Sequence, residues 1–109
     1  MLETLFGSEN AEKVLLYLHL REQGYPTEIA SFYNANLYAI QKQLEKFELA
    51  GILVKQKIGR SQVYSYNPRY TFLPELKALL NKAYDFYPSE QKEKLEYNRR
   101  RPRRSNKPL

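Results

Sequence analysis

Apolar positions recur at helical spacing early in the chain, where Ala11, Val14, Leu15 and Leu18 form one stripe. Ser8 precedes them as a good N-cap, and Glu9 and Glu12 suit the positive end of the helix dipole. Gly24 is expected to close the far end of this first helix. Leu16 and Leu20 lie nearly opposite the stripe, with Tyr17 between the two sets. A surface helix needs one apolar face, so the second one predicts contact with another helix or another chain.

A short second helix begins at Pro26, which suits a first helical position because its missing N–H is not needed there. Ile29, Phe32 and Tyr33 are its inward-facing candidates. Asn34-Ala-Asn36 reads as a tight turn: Asn34 tolerates a left-handed backbone and Asn36 can cap the next helix. That third helix is predicted from Leu37 to Ala50, stopping at Gly51. Ile40, Leu44 and Phe47 mark its buried face, and Tyr38, Lys42 and Glu45 its outer one, with Gln41 on the flank. Two helices joined by so short a turn have helix-turn-helix spacing.

Beyond Gly51 the period shortens to two. Ile52 to Lys57 and Gln62 to Asn67 read as strands joined by Ile58-Gly-Arg-Ser61, a hairpin with Arg60 at its tip. A fourth helix is predicted from Pro74 to Tyr84, with Leu76, Leu79, Leu80 and Ala83 as its apolar set. Ser89 can start another, almost wholly polar apart from Leu95 and Tyr97. Past Arg99, two prolines and a block of arginines predict disorder. The expected organisation is one folded unit over residues 1–87, then a polar helix and basic tail over 88–109.

The net charge of +6 resides in that tail. Arg99, Arg100, Arg101, Arg103, Arg104 and Lys107 are unaccompanied by any acid, and without them basic and acidic residues balance at twelve each. One further imbalance lies inside the folded part. No acid occurs between Glu48 and Glu75, a stretch holding Lys55, Lys57, Arg60 and Arg69. The absence of cysteine excludes disulfides, thiol chemistry and thiolate metal sites, and the single histidine, His19, leaves little for a triad. No nucleophile–base pair or phosphate-cradling glycine loop is visible, so neither an enzyme, a cofactor nor a metal site is expected. No apolar run approaches the ~20 residues of a membrane span, so the expected location is cytoplasmic, on the nucleoid.

The order helix, helix-turn-helix, hairpin, helix resembles a winged helix-turn-helix domain, mainly α with a small β-hairpin (α-α-α-β-β-α). Particular residues carry the likeness to small regulators of the ArsR-like and MarR-like type. Leu5-Phe-Gly-Ser8 is similar to their entry into the first helix, and Thr27-Glu-Ile-Ala30 to their helix crossing. Leu44-Glu-Lys-Phe-Glu-Leu-Ala-Gly-Ile-Leu53 is similar to the join of recognition helix and wing, and Gly59-Arg60 with Tyr64-Ser-Tyr-Asn-Pro68 to the wing and its return strand. Asn34 stands where such turns usually have glycine. The cysteines or histidine–aspartate pairs of metal-sensing relatives are absent, so the resemblance carries no metal site.

The resemblance implies a transcriptional regulator that binds double-stranded DNA. Asn36, Tyr38, Gln41 and Lys42 would read the major groove, where glutamine pairs with adenine edges and lysine with guanine or phosphate. Arg60, at the tip, would contact the minor groove or backbone. Lys55 and Lys57, read as alternating outward with Leu53, would add backbone contacts, and Arg99, Arg100, Arg101, Arg103 and Arg104 sequence-independent affinity. Each of these also fits an ordinary solvated surface. Leu16, Leu20, Leu76, Leu79, Leu80 and Ala83, left without a partner surface in the predicted unit, imply a homodimer. Two other functions fit the sequence: a protein-contact module, such as the partner or antitoxin-like subunit of a neighbouring enzyme, and RNA binding through the tail.

Overall fold

The computed structural model describes residues 1–96; the five tail arginines, Arg99, Arg100, Arg101, Arg103 and Arg104, lie outside them. The elements in order are α1 (Glu3–Phe6), α2 (Glu9–Arg21), β1 (Gln23–Gly24), α3 (Pro26–Tyr33), α4 (Leu37–Leu49), β2 (Leu53–Ile58), β3 (Ser61–Tyr66) and α5 (Leu73–Asp85). Residues 89–96 form a further helix, α6. The protein is thus mostly helical, with one small antiparallel sheet of strand order β1-β3-β2.

Helix α2 is the centre of the molecule. Ser8 Oγ accepts the Ala11 N–H at 3.1 Å, as its capping chemistry requires. From Val14 to Leu18 every residue is buried, which is the pattern of a helix surrounded on all sides. Helices α3 and α4 cover one side and α5 another, with β3 beneath. The main core joins Val14, Leu15, Leu18, Ile29, Ile40, Leu44, Leu53 and Leu80. Tyr66 seals it: its hydroxyl donates to the Leu15 carbonyl at 2.6 Å.

The second apolar set on α2 is covered in part by the chain itself. Leu16 is 2% exposed, and Leu80 and Ala83 of α5 are 0% and 5% exposed, all within a single chain. Leu20, Leu76 and Leu79 are half-buried, and Leu76 packs on the main core. Helix α5 folds back on α2, and His19 Nε2 meets Asn81 Oδ1 across their contact at 2.7 Å. Of the six residues expected to form a dimer interface, Leu16, Leu80 and Ala83 are therefore covered within the chain itself, while Leu20, Leu76 and Leu79 keep part of their surface open. The physical reason is that α5 packs on α2 of its own chain, with Leu80 and Ala83 as its buried residues.

Gly24 does not close α2 either. The helix ends at Arg21, and Glu22 takes the left-handed backbone with φ 75°. Gly24 belongs instead to β1, opposite Tyr64 on β3. Its lack of a side chain is needed for space: a Cβ there would sit 2.9 Å from Tyr17 Cε1 and 3.3 Å from Ile29 Cδ1. Asn34 is left-handed at φ 53°, as its place in the turn predicts. The hairpin is tighter than expected, pairing as far as Ile58 with Ser61. Gly59 at φ 62° occupies the first position of the two-residue turn, where only glycine is comfortable.

Helix α6 is anchored to this body. Leu95 is 3% exposed, and its carbonyl accepts from Arg21 Nε at 3.4 Å. The Tyr84 hydroxyl donates to Glu96 at 2.7 Å.

Candidate nucleic-acid interface

The outer face of α4 is open for its whole length. Tyr38 is 67% and Leu37 38% exposed, and Gln41, Lys42, Glu45 and Lys46 are exposed with them. The Lys42 ammonium stands over the Tyr38 ring at 5.7 Å, which orders both side chains one turn apart. Asn36 is different, because its Oδ1 accepts the Ala39 N–H at 3.0 Å and so caps α4. Lys46 bends away, its ammonium 3.4 Å from the Phe6 carbonyl. Burial raises the Tyr64 hydroxyl above its ordinary pKa, and the charges of Glu45 and Glu48 push it further. The second half of α4 is therefore negative where it nears the sheet.

The hairpin supplies cations. Its register pairs Leu53 with Tyr66, Lys55 with Tyr64 and Lys57 with Gln62. Opposed residues share a face, so Lys55 and Lys57 lie on the same side as Leu53 rather than alternating with it. That is the side carrying the buried Tyr64 and Tyr66, towards the helices. Both lysines are nevertheless exposed because they stand beyond the core, as is Arg60 in the turn. The opposite face carries Val54 and Ile58, 39% and 47% exposed, together with Val63, which is buried.

A second feature had no signal in the sequence. A cavity of about 540 Å³ opens among the chain's first residues, α2, the end of α3 and α6. Phe32, Tyr33, Tyr87 and Leu95 line it, together with Glu12, Lys13 and Lys94. Glu12 is only 5% exposed and holds its surroundings together. It accepts from the Leu2 N–H at 2.8 Å, from the Met1 amine at 3.2 Å and from the Tyr87 hydroxyl at 2.5 Å. Tyr17, Phe32 and Tyr33 pack edge-on beside it, with ring centroids 4.8–6.3 Å apart. Arg21 and Lys94 stand over the Phe32 ring at 4.9 and 5.2 Å, and Lys13 over Tyr33 at 5.6 Å. The amphipathic pattern of α2 marked Glu12 only as a first-turn acid, because its partners, Met1, Leu2 and Tyr87, lie far from it in sequence.

Among the described residues there is no cluster of three or more histidine, cysteine or acidic side chains able to hold a metal ion. No described helix is long and apolar enough to cross a membrane. Comparison with protein-family models, curated proteins and solved structures returns no match.

Proposed function

We propose that this chain is a winged helix-turn-helix protein that binds double-stranded DNA as a small transcriptional regulator. In this reading α4 enters the major groove and the β2–β3 hairpin lies along the flanking backbone or minor groove. The hairpin register carries it, since Lys55 and Lys57 stand on the helix side of the sheet, beyond the core, with Arg60 in the turn. The stretch between Glu48 and Glu75 that holds these cations contains no acid, so the arm suits a row of phosphates. The short turn between α3 and α4, the open face of α4 and the pairing of β1 with β3 support the same reading. The tail arginines, read from composition alone, would add sequence-independent affinity.

Titration of the full chain with duplex DNA over a range of salt tests it. Replacing Lys55, Lys57 and Arg60 together by alanine should weaken binding and flatten the salt dependence by about 0.9 log units per lost phosphate contact. Equal affinity for heparin, bulk RNA and every duplex would overturn the reading. A second reading, protein contact, is favoured by Leu49, 85% exposed near the end of α4 beside Glu48. Indifference to DNA together with one stoichiometric co-purifying protein would replace the first reading with this one.

A further inference from the structure

We infer that the cavity between the chain's first residues, α2, the end of α3 and α6 binds a nucleoside monophosphate, its phosphate on Lys13 and Lys94 and its base against Tyr33 and Tyr87. None of these residues belongs to α4 or the hairpin, so the site is independent of the DNA-binding reading. Its volume of about 540 Å³ lies within the ~300–1,000 Å³ ordinary for small-molecule sites. Its walls come from separate parts of the chain, and an occupant would touch them all.

The buried acid of the cavity is already engaged. Glu12 accepts from Leu2, Met1 and Tyr87, and Glu3 shares the Met1 amine with it. Glu9, the other acid of the lining, is exposed. A cationic ligand would find the inner acceptors taken. The donors are not taken. The Tyr33 hydroxyl is buried without a hydrogen-bond partner among the described residues, a state that buried polar groups avoid unless something else completes it. Burial raises its pKa above the ordinary value, so it remains a donor. Lys13 and Lys94 form no ion pair with an acid among the described residues. Their ammoniums rest on the adjoining Tyr33 and Phe32 rings, at 5.6 and 5.2 Å. The unmet capacity of the cavity is therefore for an anion.

Two unpaired ammoniums match a dianion better than a single carboxylate, and lysine holds phosphate as a point charge. Contact with a ring face is the weaker hold. A phosphate thus draws the ammoniums away and leaves ring surface for a flat heterocycle to stack on. Phe32 and Tyr33 stand edge to face with centroids 4.8 Å apart, which keeps that wall in place. Asn34 and Gln91 also line the cavity, and neither side-chain amide has a hydrogen-bond partner among the described residues. Each amide presents a donor and an acceptor, as the edge of a base does. A ring, a hydrogen-bonding edge and a dianion are the parts of a nucleoside monophosphate.

Calorimetric titration of the full chain with AMP, adenosine and inorganic phosphate, in the absence of DNA, tests the site. AMP should bind about a hundredfold more tightly than either fragment, because one ligand engages both halves of the cavity. Replacing Lys13 and Lys94 together by alanine should weaken AMP at least about tenfold and leave adenosine unchanged. Lys94→Ala alone, at an exposed position, should give part of that loss if the double variant does not fold. Tyr33→Phe should weaken AMP and adenosine alike without lowering the melting temperature of the free chain, since the hydroxyl has no partner there to lose. Lys82→Ala, outside the lining, should bind AMP as the native chain does. The assignment is overturned if AMP fails to bind at millimolar concentration or binds no better than inorganic phosphate. It is equally overturned if the lysine variants keep native affinity, or if Lys82→Ala loses as much as they do. Each of these results leaves the DNA-binding reading where it stands.

Discussion

Tyr66 crosses from the sheet to the backbone of the central helix, and its hydroxyl and its ring do separate work. The residue is 9% exposed and its ring completes the core, while the hydroxyl satisfies the Leu15 carbonyl at 2.6 Å. Tyr66→Phe keeps the ring and removes the bond, so urea denaturation should show a loss of about 1 kcal/mol. Gly24 poses the opposite problem, because a methyl group there meets Tyr17 at 2.9 Å. Tyr17 is itself 1% exposed and has nowhere to retreat. Gly24→Ala should therefore destabilise by about 1–3 kcal/mol through overpacking, measured in the same way. The alternation in Tyr64 and Tyr66 was legible in the sequence; the need for a bare backbone at Gly24 was not, since it depends on a ring from the preceding helix.

Among the helices, α2 shows how one periodic pattern supports two structures. Two apolar stripes suit a helix shared with another chain, and equally a helix enclosed by its own. Leu16, at 2% exposure, shows the second outcome. Leu16→Glu places a carboxylate in that enclosed site, where burying an uncompensated charge is costly. The expected result is loss of the cooperative thermal transition at every protein concentration. A variant that stayed folded and changed only its particle size would return Leu16 to an interface between chains. The α3–α4 pair behaved more simply, because its signals are local: Asn34 and Asn36 hold the turn and the cap through their own backbone neighbourhoods.

The folded unit as a whole carries a set of tyrosines that are wholly or partly buried. Burial pushes the hydroxyls of Tyr17, Tyr33, Tyr66 and Tyr87 well above their ordinary value of 10.0. Tyr84 is pushed up to about 12, chiefly by burial and further by its bond to Glu96. In each case the folded state holds its proton to higher pH than the unfolded state. Their contribution is thus fully present below pH 10.0 and is lost as pH rises from there through the folded values. Melting temperatures should stay level through neutral pH with respect to these groups and fall steeply above that point. Tyr84→Phe should make the alkaline fall shallower, since one raised group is gone; an unchanged slope would remove Tyr84 from this set.

Helices α2 to α6, the hairpin and the basic stretch around Arg60, though not the short helix α1, could be read along the chain, because capping, period and turn chemistry act over a few residues. Ser8, Asn36 and Gly59 act as their types predict for that reason. The pairing of Gln23-Gly24 with β3, the return of α5 onto α2, the side of the sheet that holds Lys55 and Lys57, and the gathering of Tyr87 and Leu2 around Glu12 could not. Each is a contact between distant parts of the chain. Composition and period say that a leucine or a carboxylate must be covered or paired; only the packing of whole elements chooses the partner.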